Sequence, residues 1–312
     1  MRAILATAVA LGAMGLTGCP PTCPETKVSL EDLVIEYNTN VERAGRLWAR
    51  ARIEVTVRDP KTKLPFVWGS ASPLAAPNGM LLLRKSKTTR LGPHDFVLIG
   101  REAGVELFRM GSSTADAAYY FWYAFGDHSG GFWGRLALAG APGIEGLPID
   151  PTQLLAVLGI CGLPDDFTQP PTVALTMSND PCAYVATYLD RQPVTGRILF
   201  KREIYFRWEE GKPRRPFRVN FLDAGGVRVM TAKLKDYRPI QTGGEAAPVI
   251  PTSIEIAWPQ AGSRLRIRLS EMNTTKNPDP SVYGFTENLP GSLGAGRIRQ
   301  VDRHVPLEEA RP

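Results

Sequence analysis

The residues that could do chemistry are few. Three histidines, His94, His128 and His304, stand far apart in the chain. That nearly excludes a His-rich metal site and leaves little imidazole for acid–base work. Asp127-His128-Ser129 has the residue types of a nucleophile set. Neighbours in sequence rarely converge into a triad, however, and Gly130-Gly131 marks a turn. Asp165-Asp166 could ligate a cation, but an acidic pair in a proline-rich loop is more often a cap for the next element. Arg264, Arg266 and Arg268 alternate with Leu265, Ile267 and Leu269, the pattern of a strand with one wet and one dry face. Such a basic face near a membrane could help orientation toward anionic head groups. No Gly-x-Ser-x-Gly elbow, Walker A loop, His-Glu-x-x-His or helix-opening Gly-x-Gly-x-x-Gly occurs. Gly291-Ser292-Leu293-Gly294-Ala295-Gly296 precedes a short tail and reads as a loop. The sequence therefore assigns no catalytic residue, no metal ligand and no cofactor.

The cysteines carry more information. Arg2 is the only charge before Glu25, and Ala3 to Leu16 is an almost unbroken apolar run. That run is too short for the roughly 20 residues a spanning helix needs, and a charged start with small residues at the end describes an export signal. Leu16-Thr17-Gly18-Cys19 resembles the bacterial lipobox. By that resemblance residues 1–18 are removed and Cys19 becomes an acylated N-terminus. Several acyl chains on one residue hold a protein firmly to a bilayer, at roughly 0.8 kcal/mol per buried CH₂. The alternative is an ordinary signal followed by a chance cysteine. Pro20, which is not Asp, favours the outer membrane by the enteric sorting rule. Residues 19–28, with Pro20-Pro21-Thr22-Cys23-Pro24, read as a stiff tether. In an exported protein Cys161 and Cys182 form a disulfide by default, worth roughly 3 kcal/mol on the chain-entropy model. Cys23 is then left over, either free or displacing one partner of that pair.

The elements that must hold these groups are mostly strands. The chain has 312 residues, 43% hydrophobic and 22% charged, with 30 Gly and 27 Pro. That is globular, with many turns and few long helices. The formal charge of +6 is small for this length and is a weak argument for nucleic acid, which is not an expected partner. Residues 29–51 read as a helix capped by Ser29, with Leu30, Leu33, Val34, Tyr37, Val41, Ala44 and Trp48 on one face. Period-two alternation then begins at Ile53, Val55 and Val57. Strands follow at 80–84, 95–99 and 104–110, and Tyr119 to Phe125 is aromatic with an ambiguous period. Asp150-Pro151-Thr152-Gln153 opens a short helix through Leu154, Leu155, Val157 and Leu158, apolar nearly all round. Tyr184–Leu189, Arg197–Trp208, Phe217–Leu222, Val227–Tyr237, Ser253–Trp258 and Arg264–Leu269 are strands of an antiparallel meander. Leu64-Pro65-Phe66-Val67-Trp68 and Gly131-Phe132-Trp133 are apolar loop candidates. A curved sheet roofed by so apolar a helix is how a protein makes room for an acyl chain.

The order of these features resembles the LolA/LolB superfamily of lipoprotein carriers and outer-membrane lipoproteins. It comprises the lipobox, the amphipathic helix, the strand Arg50-Ala51-Arg52-Ile53-Glu54-Val55, the strand Gly79-Met80-Leu81-Leu82-Leu83-Arg84 and Thr89-Arg90-Leu91. The aromatic segment, Leu147-Pro148-Ile149-Asp150-Pro151 and Ile250-Pro251-Thr252-Ser253-Ile254-Glu255-Ile256 follow. The resemblance implies a mainly β fold with a few α-helices: an unclosed antiparallel β-barrel with a helical lid over an apolar cavity. The resemblance covers most of residues 29–270, and the chain reads as one domain over residues 29–303, followed by a mobile tail, 304–312. The expected lining of the apolar cavity is Phe121, Trp122, Phe125, Leu154, Leu155 and Leu158. The expected protein is a monomer, lipid-anchored to the cell outer membrane and facing the periplasm. It binds an acyl chain or lipoprotein cargo for transfer or insertion, without enzymatic chemistry. The alternative is a structural or assembly lipoprotein with a packed barrel that binds a protein partner. An enzyme acting on envelope glycans or lipids has no acid–base pair to work with.

Overall fold

The computed structural model describes residues 28–58, 65–70, 74–85, 94–125, 128–139, 151–191, 198–209, 211–242, 247–289 and 298–304, with Cys23 and Ser72. Residues 1–22 with Cys19, Asp127, the Asp150 cap, the Gly291–Gly296 loop and all of the tail but His304 lie outside the described residues.

Helix α1 spans Leu30–Glu42. Ser29 Oγ accepts from the Asp32 N–H at 3.0 Å and donates to its carboxylate at 2.7 Å, so the expected cap is present. The helix does not continue to Ala51, because Arg46–Arg58 is strand β1. Leu47, Ala49, Ala51, Ile53, Val55 and Val57 form its buried, period-two face. Trp48 fits either period. Pairing on both edges of β1 decides the matter.

The strands that follow are β2 (Pro65–Gly69), β3 (Gly79–Arg84), β4 (Asp95–Glu102), β5 (Val105–Ser113), β6 (Ala118–Phe125) and β7 (His128–Arg135). Helix α2 (Pro151–Val157) separates these from β8 (Thr172–Asn179), β9 (Cys182–Arg191), β10 (Ile198–Arg207), β11 (Pro216–Asp223), β12 (Arg228–Pro239), β13 (Val249–Trp258) and β14 (Ser263–Asn273). A short β15 (Ile298–Gln300) comes last. All belong to one sheet in the order β15-β7-β6-β5-β4-β3-β1-β14-β13-β12-β11-β10-β9-β8, with β2 paired to β1. Every pairing is antiparallel except β15 with β7. Among the described residues β8 and β15 are its edges, so the sheet is an open barrel wall.

Strand β1 is the seam. One edge pairs with β14, while the other pairs first with β3 and then with β2. Asn78 bridges the gap between those two partners. Its amide receives the Ile53 N–H at 2.7 Å and donates to the Ile53 carbonyl at 3.0 Å. A backbone pair that the strands leave open is thus satisfied by a side chain.

Strands β2, β7 and β8 depart from the sequence reading, which placed loops or a turn over the first two. In β7 the glycines are the reason. Gly134 faces Tyr119 and Gly130 faces Tyr123 across the ladder. A Cβ on Gly134 would lie 2.5 Å from the Tyr119 ring. Aromatic rings of β6 cover the bare backbone of β7, so residues that signal a turn sit in a strand.

The sheet has two ends. At one lie the β8–β9 and β10–β11 turns, the C-terminus of α1 and the start of β1. At the other lie the β4–β5, β11–β12 and β13–β14 turns and the β2 end of β1. Helix α1 packs at the first end: Asn40 exchanges hydrogen bonds with Val249, and Glu36 pairs with Arg214 at 2.7 Å. Lys85 donates to the Val41 carbonyl there. Burial lowers the Lys85 pKa to about 8, with Cys161 and Glu42 acting the other way. Its folded pKa lies below the unfolded value, so folding is penalised at low pH and relieved as pH rises from about 8 to 10.5. Relative to Lys85→Met, the wild type should therefore gain about 3 kcal/mol over that window, measured by urea unfolding at each pH. The difference cancels the opposing titration of the buried tyrosines.

Candidate functional site

The concave face at the second end carries a belt of stacked rings. Trp68 stacks on Phe125 at 5.3 Å and on Phe108 at 6.3 Å. Phe66 lies 5.1 Å from Phe125, which continues to Tyr123 at 5.5 Å. Tyr123 stacks on Phe121 at 5.5 Å, and Phe121 on Phe132 at 6.2 Å. The belt thus runs from β2 across β6 to the edge strand β7. It exists because alternate residues of β6, namely 121, 123 and 125, face inward. Gly100 makes the Trp68 position possible: a Cβ there would meet the indole at 2.5 Å. Gly100→Val should displace the indole, seen as a shift of the Trp68 emission relative to the wild type, with Trp68→Phe as the assignment control.

Helix α2 covers this face against β5 and β6. Leu154 and Val157 are wholly buried and Leu158 is 1% exposed. Leu155 and Ala156 are half-buried against the same core. A helix this apolar must be covered on most sides, and the belt supplies that cover. Among the described residues a side-chain hydrogen bond joins α2 to the opposite wall: Trp258 Nε1 on β13 donates to Gln153 Oε1 at 2.9 Å.

Of the residues expected to line a cavity, the structure brings together Phe121, Phe125, Leu154, Leu155 and Leu158. Trp122 is not among them. It points to the convex face, where it is buried with Tyr120 and Phe285. The 280–289 segment backs that face, and Tyr120 Oη donates to the Tyr283 carbonyl at 2.8 Å. The concave face is filled by α1, α2 and the chain after α2. Three grooves lie beside α1 and the β10–β11 turn. One of about 380 Å³ is lined by Glu36, Arg43, Arg214, Arg215 and Tyr237. Phe66, Trp68, Phe108 and Trp258 join the site without having been expected there. The one available signal was the alternation of Phe66 and Trp68 about exposed Val67, in a stretch too short to read beside Pro65.

The disulfide expectation is corrected. Cys23 pairs with Cys182, Cα to Cα 5.5 Å, and Cys161 is a free thiol. Cys182 opens β9 at the sheet end. Cys161 follows α2 inside the wall, where Tyr37 Oη donates to its carbonyl at 3.1 Å. Burial pushes the Cys161 thiol up to about 11, against the pull of Lys85 and Arg202. Such a thiol reacts slowly at neutral pH. A non-reduced peptide map should link Cys23 to Cys182, and half-buried Cys161 should alkylate slowly at neutral pH and fast on unfolding.

The residues considered for chemistry do not converge. His128 and Ser129 are consecutive residues of strand β7, and Asp127 lies outside the described residues. Asp166 accepts from the Thr168 N–H at 3.0 Å and its hydroxyl at 2.6 Å, a local turn. Arg266 pairs with Glu54 at 2.6 Å on the convex face, and Arg264 and Arg268 reach Glu255 and Asp236. Among the described residues no three His, Cys, Asp or Glu could hold a metal ion.

No family model matches the chain, and no curated protein matches it. Solved structures do align. A domain from Vibrio parahaemolyticus described as an outer membrane lipoprotein-sorting protein aligns at 10% identity and TM-score 0.47, over 81% of this chain and 95% of its own. A DUF1329 family protein from Desulfovibrio piger aligns at 10% identity and TM-score 0.47, over 82% and 96%. A LolA superfamily protein from Nitrosomonas europaea aligns at 12% identity and TM-score 0.44, over 83% and 99%.

Proposed function

We propose that this chain is a lipoprotein, acylated at Cys19, anchored to the outer membrane and facing the periplasm. Its concave face takes an acyl chain, free or carried by lipoprotein cargo, for transfer or insertion. The observation that carries the reading is the aromatic belt under α2. It is a continuous apolar floor whose cover at that end is a seven-residue helix with a side-chain hydrogen bond to the far wall. An acyl chain offers the belt the contacts that Leu154, Val157 and Leu158 now supply, so it can exchange with the helix at small net cost. Binding is apolar burial, with no covalent step, no cofactor and no nucleic acid.

Native mass spectrometry with lipid extraction tests this on protein purified from a periplasm with Cys19 replaced. Phospholipid or acylated peptide should co-purify, and Leu155→Asp, at a half-buried position, should release it from a still-folded protein. A second reading is favoured by the filled concave face: a structural or assembly lipoprotein whose wall is permanently packed and whose surface binds a protein. A lipid-free, fully folded preparation that takes up no added acyl chain would select it.

A further inference from the structure

The Cys23–Cys182 bond fixes where the anchor leaves the body. On the lipid-anchored reading above, Cys19 sits in the bilayer. Four residues of chain then span at most roughly 14 Å to Cys23. Cys23 is covalently held at the β8–β9 turn. Without that bond the free leash would run on to Val28, where the body begins, and would reach roughly 32 Å. The disulfide thus replaces a long leash by a short one and attaches it to one end of the sheet.

The same end is basic. The β10–β11 turn lies beside the β8–β9 turn, because Arg207 pairs with Ala183 in the ladder. Residues 207–216 hold Arg207, Lys212, Arg214 and Arg215 against Glu209 and Glu210, with Arg214 paired to Glu36 and with Asp180 in the neighbouring β8–β9 turn. The Lys212 and Arg207 side chains are 69% and 59% exposed and share Glu209. Arg215 lies over the Tyr237 ring at 5.4 Å. At the close of β12, Lys235 and Arg238 flank Asp236. The half-buried Trp208 adds an amphipathic ring of the kind that seats at a head-group boundary. Cations within a Debye length of an anionic leaflet are drawn to it.

We propose that this end of the sheet rests on the anchoring bilayer, held there by the disulfide and oriented by the basic turns. The α2-covered belt lies toward the opposite end, with Phe66, Trp68, Phe108 and Phe125 near the β4–β5 turn. It therefore faces the periplasm, and cargo reaches it from the aqueous side rather than from its own membrane.

The test uses the full lipoprotein in vesicles of phosphatidylethanolamine and phosphatidylglycerol containing a head-group nitroxide lipid. A fluorescent non-natural amino acid is placed at exposed Asn179 in the β8–β9 turn, or at exposed Gln260 in the β13–β14 turn. Quenching at Asn179 should exceed that at Gln260 several-fold. Cys23→Ser should narrow the difference, and so should a long Gly-Ser insertion between Pro21 and Thr22 that keeps the disulfide, leaving the part that the basic turns supply. Lys212→Glu with Arg215→Glu should lower the Asn179 signal in the insertion variant. Equal quenching at the two positions, or stronger quenching at Gln260, overturns the orientation. So does a preference that neither tether variant reduces. The protein's mass is read on the same sample. An unacylated Cys19 refutes the lipid-anchored reading itself, whereas an acylated chain without the preference refutes only the orientation.

Discussion

Phe125→Ala should cost about 3–5 kcal/mol of stability and weaken acyl binding at least tenfold. The residue is 5% exposed and is the hub of the belt, with Phe66, Trp68 and Tyr123 all stacked on its ring. Removing it strips each neighbour of a face and leaves a void under α2, where β2 and β6 are held together chiefly by rings. The same contacts form the proposed floor for an acyl chain, so stability and affinity fall together. Urea unfolding measures the first, and titration with a fluorescent fatty acid the second. Phe285→Ala is the contrast. Its ring stacks on Tyr120 at 5.2 Å on the convex face, so it should lower stability and leave affinity within about twofold, the usual result at sites without shared partners.

Gln153→Ala should do the opposite to the two quantities. Trp258 Nε1 would lose its acceptor while its ring stays 4% exposed. A buried donor left unpaired costs about 1–3 kcal/mol. That cost falls on the state in which α2 is docked. If the acyl chain binds where α2 leaves, the docked state competes with the ligand. Apparent affinity then rises by the factor by which docking weakens, about tenfold for 1.4 kcal/mol. Lower stability with tighter binding is a pairing that a general packing defect does not produce. If affinity instead falls in step with stability, α2 is part of a permanent core and the second reading gains.

Much of the fold was legible because its periods are clean. Ile53, Val55 and Val57 alternate with polar or charged neighbours, and so do Leu265, Ile267 and Leu269. Each marks a strand with one dry face. The Ser29 cap was legible from local chemistry alone. The failures have physical causes. Every position from Tyr119 to Phe125 but Ala124 is aromatic, so alternation there carries no information about which face is which. The strand is buried on both sides, by the concave core and by the 280–289 segment, and Trp122 went to the wrong side of it. Gly130, Gly131 and Gly134 look like turn residues until the rings of β6 are placed over them. The disulfide partner was decided in three dimensions. Cys161 and Cys182 are near in sequence, but one lies inside the wall and the other at its end, where the tether arrives. The site was half legible for the same reason: α2 and β6 announce themselves by composition, whereas Phe66, Trp68 and Trp258 join them through pairings across β1.

The most direct test of the central claim is amide hydrogen exchange over residues 151–158, with and without a saturating lysophospholipid. The account predicts that α2 amides, including the Leu158 N–H that bonds to the Leu154 carbonyl, lose protection when the acyl chain is bound. The β1 and β13 ladders should keep theirs. Acyl binding at full occupancy with α2 protection unchanged or increased would contradict the account, because the ligand would then lie somewhere other than on the belt that α2 covers.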